Sequence, residues 1–219
     1  MPRSGPTGSA WPYRNPFRDA RNLTPERIDM GVDYAADAGS PIYSIGPGVV
    51  TSIRNAGWPG GAFIAVRFTD GPFAGRYWYF AELIQPAVAV GQQVDTSTVL
   101  GYFSTSGGPG IETGWAAPPG TGNTLAAVNG QACNSSTDPG CHQTWYGASA
   151  SAFLAMLGAP AGLANGAVVG TGPSDLPQPG QGGKGGGIFN PAGAQGCVTG
   201  MMFLPFILAA RLLGLRHAR

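Results

Sequence analysis

From Thr24 to about Ala117 the chain sets short runs of β-branched and aromatic residues between Gly and Pro turns, the pattern of an antiparallel all-β domain. Ala62 to Phe68 alternates as a strand, and Arg76 to Leu83 carries the most aromatic run of the chain, Tyr77-Trp78-Tyr79-Phe80. Ile42 to Ile45 and Gly48 to Arg54 are expected to pair as a hairpin around Gly46-Pro47. Val88 to Val90, Gly91 to Val94 and Val99 to Ser104 supply shorter strands. Beyond them, Phe153, Met156 and Leu157 share one helical face, so a short helix is expected from Ala148 to Leu157, stopped by Gly158.

The pattern divides the chain into five parts: a flexible polar arm over 1–23, the β domain over 24–120, and a loop with a short helix packed on the domain over 121–160. A Gly/Pro-rich linker over 161–196 and an apolar C-terminal helix over 197–219 complete it. The arm has no apolar core and is not read as a secretory signal. Residues 198–215 are 18 long, the lower limit for a membrane span, with Arg211 inside and Arg216 and Arg219 behind. A spanning helix, an interfacial helix and a helix docking on a partner all fit this stretch.

Composition narrows the chemistry. Charged residues make up 11% of the chain with a net charge of +1, which excludes the concentrated basic face that nucleic acid requires. Cys133 and Cys141 bracket a polar turn and are expected to form a disulfide, which implies an oxidising compartment. Only two histidines occur, His142 and His217, both outside the β domain.

Six motifs in order carry a resemblance. They are Asp29-Met30-Gly31-Val32-Asp33, Gly39-Ser40-Pro41-Ile42-Tyr43 with Gly48-Val49-Val50, and Trp58-Pro59-Gly60-Gly61 leading into a strand. Tyr79-Phe80-Ala81-Glu82-Leu83, Val88 to Val94 with Val99-Leu100-Gly101, and Gly110-Ile111-Glu112-Thr113-Gly114-Trp115 follow. Together they resemble the lysostaphin-like (LytM-type) zinc endopeptidases, which cut peptide cross-links of bacterial peptidoglycan. The resemblance implies an antiparallel β sandwich or half-barrel with one short helix and flexible Gly/Pro-rich arms.

It also implies a degenerate member. The three zinc-ligand positions of the family fall on Asp29, Asp33 and Gly114, and its further histidines fall on Glu82 and Glu112. Tetrahedral zinc needs three well-placed ligands and an open position for water, so this donor set disfavours zinc and metal-dependent hydrolysis. No cofactor is expected; if a cation bound, hard Ca²⁺ or Mg²⁺ would suit carboxylates. Asp29, Asp33, Glu82 and Glu112 are expected to converge in one cleft with Trp115 beside it, and Glu82 and Glu112 are the candidates for any acid/base role. Three alternatives stand for the four acids: hydrogen bonding to backbone or to a nearby Arg, cation binding, and shared-proton catalysis. Trp58, Trp78 and Tyr79 either line a groove or fill the sheet core. Arg67 and Arg76 are expected to be exposed or paired with acids.

The expected function is an inactive peptidase-like domain that binds cell-wall glycan or peptide, or a protein partner, in the envelope or outside the cytoplasm, and is tethered through residues 198–215. The alternatives are an active peptidoglycan endopeptidase or carboxylate-based wall hydrolase, and a structural part of a phage tail or envelope-spanning assembly.

Overall fold

The structure, a computed structural model, describes residues 11–54, 57–131 and 143–180. Among the described residues ten strands, paired with one another antiparallel, form two sheets. They are β1 (Thr24–Ile28), β2 (Val32–Ala36), β3 (Pro41–Tyr43), β4 (Gly48–Arg54), β5 (Ala62–Phe68), β6 (Tyr77–Glu82), β7 (Ile84–Pro86), β8 (Gln93–Val94), β9 (Val99–Phe103) and β10 (Gly107–Ala116). Seven make one sheet in the order β1-β2-β10-β6-β5-β4-β8, and three make the other, β3-β9-β7. Two helices follow, α1 (Leu125–Val128) and α2 (Trp145–Met156). This is the mostly antiparallel β architecture that the residue pattern predicts.

The central strands are apolar on both faces because both faces are covered. On β5, Ile64, Val66 and Phe68 enter the main core while Phe63 and Ala65 enter a smaller cluster on the other side. On β6, Trp78 and Phe80 face the main core, and Tyr79 and Ala81 face the smaller cluster. This period-two division decides which residues reach the functional face. The main core is roofed by α2, whose Phe153 stacks on Trp115 at 5.4 Å and meets Trp78 edge-on at 5.5 Å.

Several expectations are corrected. Ile42 and Gly48 do not belong to one hairpin: β3 pairs with β9 in the small sheet, whereas β4 pairs with β5 and β8 in the large one. Gly46-Pro47 is the point where the chain changes sheets, and it packs so tightly that a Cβ on Gly46 would lie 2.4 Å from the Tyr13 ring. Val88 to Val90 form no strand and lead into a turn at Gly91, whose φ of +86° only Gly adopts readily. β7 is a further strand beyond those expected, and its Pro86 lies at the edge of the sheet, where Pro is tolerated.

Residues 11–23, expected within a flexible arm, place Tyr13 and Phe17 in the main core. Tyr13 accepts a hydrogen bond from the Phe73 amide at 3.0 Å and donates to the Asp70 carbonyl at 2.8 Å. The stretch expected to open the linker likewise delivers Leu176, fully buried, to that core. Helix α2 starts three residues before the expected Ala148. Thr144 caps it, its hydroxyl accepting from the Gly147 amide at 2.9 Å. Of the expected face, Phe153 is fully buried and Leu157 packs against the core, but the buried residues run from Trp145 to Leu154 on all sides, so the helix is not amphipathic. Gly158, at φ +83°, ends it as expected.

No helix among the described residues is long and apolar enough to cross a membrane. The expected C-terminal helix, its tethering role and the Cys133–Cys141 disulfide lie outside the described residues.

Candidate functional site

Of the four acidic residues expected to converge, three come together within bonding range of one ion, and Glu82 lies outside that group. The turn between β1 and β2 carries Asp29, β2 carries Asp33, and β10 carries Glu112 directly opposite Asp33 in the ladder. One carboxylate oxygen from each of Asp29, Asp33 and Glu112 lies within 4.8 Å of the others. Glu82 closes β6 opposite Ile111. Its φ of +74° is a left-handed conformation that non-Gly residues rarely hold, a form of strain that clusters at functional sites.

Each acid is held differently. Asp29 Oδ1 accepts from the Met30 amide at 2.6 Å, and the Asp29 carbonyl accepts from both the amide and the hydroxyl of Thr144, at 2.9 and 2.7 Å. The helix cap therefore fixes the turn that carries Asp29. Tyr79 donates a hydrogen bond to Glu112 Oε1. Its ring stacks on Phe63 at 5.2 Å and leans on Trp58 at 5.5 Å.

Arg27 bridges the remaining two acids. Its Nε lies 2.8 Å from Asp33 Oδ2 and its Nη2 3.2 Å from Asp29 Oδ2. The two carboxylate side chains are 11% and 7% exposed while Arg27 is 47% exposed, so the pair of bonds joins buried acids to a half-exposed guanidinium. Asp33 Oδ1 points inward and finds no hydrogen-bond partner among the described residues.

Trp115, expected beside the cleft, is not there. Glu112 and Gly114 share one face of β10, so period two turns Thr113 and Trp115 to the other. Trp115 is fully buried in the main core, edge-on to Trp78 at 4.8 Å, with its Nε1 donating to Ser149 Oγ at 3.2 Å. Trp78 is likewise a core residue, donating to Thr113 Oγ1 at 2.7 Å. Trp58 and Tyr79 do reach the site face. Arg76 pairs with Asp175, as its expected pairing with an acid requires.

Arg27 and the Tyr79–Glu112 bond lie outside the six motifs' expected site. Arg27 sits two residues before Asp29, but Asp29 lies past the end of β1 and the pairing of β1 is irregular between Pro25 and Ile28, so alternation alone does not put the two on one side.

Burial, and then excess negative charge, raises the carboxyls. Burial first, then the charge of Asp29, brings Asp33 up to about 8 against the downward pull of Arg27. Burial and then Asp29 bring Glu82 to about 7. Burial, then Asp29 and Asp33, hold Glu112 well above the carboxylate range, with the Tyr79 bond pulling the other way. All three bind more protons folded than unfolded. Their stabilisation is complete below the ordinary carboxylate range and is lost as pH rises through about 7 and 8. The unfolding temperature is expected to fall between about pH 5 and pH 9, and Asp33→Asn to flatten that slope, in thermal melts followed by circular dichroism.

The donor set does not fit zinc. All three convergent groups are oxygens, and two of them already bind a guanidinium. Gly114 offers no side chain, and a Cβ there would sit 3.1 Å from the Gly31 Cα and 3.2 Å from the Tyr79 ring. The space a third ligand would use is filled by phenol.

Residues 27–117 match peptidase family M23. Among solved structures, the chain is similar to a peptidase M23 from Pseudomonas aeruginosa, at 27% identity over 49% of this chain and 45% of that one, with a TM-score of 0.38. It is also similar to the antimicrobial peptidase lysostaphin from Staphylococcus simulans, at 17% identity over 49% of this chain and 47% of that one, with a TM-score of 0.40. A third is the catalytic domain of a prophage-encoded M23 protein from Enterococcus faecalis, at 20% identity over 45% of this chain and 83% of that one, with a TM-score of 0.36. The chain thus spans about half the length of the first two. No curated protein gives a significant match.

Proposed function

From residues 27–117 as a peptidase family M23 domain, we propose that the chain is a non-hydrolytic binding domain for bacterial cell-wall peptide or glycan, working in the envelope or outside the cytoplasm. The observation that carries the reading is Gly114. At the position where the family presents a metal-binding imidazole, this chain has no side chain, and the Tyr79 ring lies 3.2 Å from where a Cβ would start. A dication on these carboxylates alone, with no imidazole and with two of the three already bound to Arg27, is held too loosely to acidify a water. Trp58, half-buried beside Phe63 and Tyr79, adds an aromatic surface of the kind that sugar and peptide ligands use.

A second reading is favoured by one observation. Burial pushes Asp33 up to about 8 and Glu82 up to about 7, the range in which a carboxyl can both give and take a proton at neutral pH. That would suit a carboxylate-based wall hydrolase.

One assay separates the two. The protein is incubated with purified peptidoglycan, and both the sedimented protein and the soluble fragments are measured. The binding reading expects the protein in the pellet with no fragments released, with or without added Zn²⁺. Fragments that disappear with Glu82→Gln, or with chelator, would replace it by the enzyme reading.

A further inference from the structure

We propose that Arg27 is the built-in cation of the carboxylate cluster, doing the charge-balancing work that a bound metal would do, and that removing its guanidinium turns Asp29, Asp33 and Glu112 into a divalent-cation site. The inference goes beyond what the domain binds and does not depend on it.

Three observations carry it. The first is contact: the guanidinium uses two different nitrogens on two different acids, at 2.8 and 3.2 Å. A planar fork of donors suits such bridging, and an ammonium would not reproduce it. The second is position. Arg27 is 47% exposed and touches carboxylates that are 11% and 7% exposed, so an ion on those oxygens would lie directly against the guanidinium. A dication at the cluster would meet an immediate positive neighbour, and the two exclude one another.

The third is what the guanidinium leaves unsatisfied. Asp33 Oδ1 is enclosed with no donor among the described residues, and buried carboxylate oxygens without a partner are costly. Oxygens sharing one Ca²⁺ ion at about 2.3–2.6 Å lie no more than about 5 Å apart. The spread of 4.8 Å among Asp29, Asp33 and Glu112 falls inside that limit. The oxygens are thus already placed for an ion, and Arg27 is what stands against it.

Burying several like charges with one counter-charge also predicts the effect of its loss. Removing one partner of a buried pair leaves uncompensated charge, a strongly destabilising change. Here Arg27 is itself half-exposed, which softens the effect.

The test is thermal unfolding of the full chain with Ca²⁺, with Mn²⁺ and with EDTA, for the wild type, Arg27→Ala and Arg27→Ala/Asp33→Asn. The wild-type midpoint is expected to move by no more than about 1 °C among the three conditions. Arg27→Ala is expected to melt about 5 °C lower in EDTA and to regain that loss saturably with Mn²⁺ or Ca²⁺. The double variant is expected to melt higher than Arg27→Ala in EDTA and to ignore the ions. A wild type that rises with either ion overturns the proposal, as does an Arg27→Ala protein indifferent to both. If Arg27→Ala does not fold, the double variant decides: recovery of a cooperative melt supports charge balancing by Arg27, and continued failure to fold overturns it.

Discussion

Replacing Trp115 by Ala is expected to lower stability by about 4 kcal/mol, the range for deleting a large aromatic from a packed core. Trp115 is fully buried and lies within 5.4 Å, centroid to centroid, of Phe73, Trp78 and Phe153. Truncation removes all three ring contacts at once and leaves a cavity that strand β10 and helix α2 can fill only by moving together. It also strands the hydroxyl of Ser149, which accepts the indole hydrogen bond. For a chain of this size the melting midpoint falls by roughly 10 °C. Urea unfolding measures the loss directly. The same variant separates core from cleft, because Trp115 points away from Glu112. Whatever wall binding the folded protein has should survive at a temperature where the variant remains native. A variant of unchanged stability that loses binding would put Trp115 back in the cleft.

Gly147→Ala is expected to cost about 3 kcal/mol. Within an isolated helix this substitution is stabilising, by about 1 kcal/mol. In α2 the sign reverses, because a Cβ on Gly147 would lie 2.3 Å from the carbonyl oxygen of Asp29 and 2.9 Å from that of Gly31. Both obstacles are backbone, so neither can rotate away. The helix must lift, and lifting it breaks the two hydrogen bonds from Thr144 to the Asp29 carbonyl. Differential scanning calorimetry checks the direction: a rise in melting temperature, as helix propensity alone would give, would show that α2 does not press on the Asp29 turn.

Much of this fold is legible from residues alone, and the failures have physical causes. β5 is found at its true limits, because an alternating apolar run buried on both faces gives a strong local signal. The ordered motifs also put Asp29, Asp33 and Glu112 in one place, since three adjacent strands bring them there whatever their side chains. Trp115 was misplaced because proximity along a motif ignores the pleat: one residue of offset moves a side chain through the sheet. The break at Gly46-Pro47 looks like a hairpin because a change of sheet uses the same turn residues. Tyr13 and Leu176 were missed for another reason. Each is a lone apolar anchor in polar, Pro-rich surroundings, and a single residue has no periodicity to detect. Arg27 belongs to a strand whose outward positions are polar, where one more Arg carries no signal until its partners are known.

The pairing along β1 has a consequence for where this protein begins and ends as a folding unit. Leu163 exchanges backbone hydrogen bonds with the outermost strand, its amide reaching Glu26 at 2.6 Å and its carbonyl taking the Ile28 amide at 3.0 Å. A strand left bare at a sheet margin invites pairing with another chain. The residues that shield this margin, like the Thr144 cap on Asp29, lie beyond the segment that matches the peptidase family. An excised fragment covering only that segment would carry the acidic residues but neither the clamp on their turn nor the guard on their flank. Anyone grafting or expressing the module should therefore treat the stretch from Tyr13 to Leu176 as its minimum, since both ends are sunk in the same core.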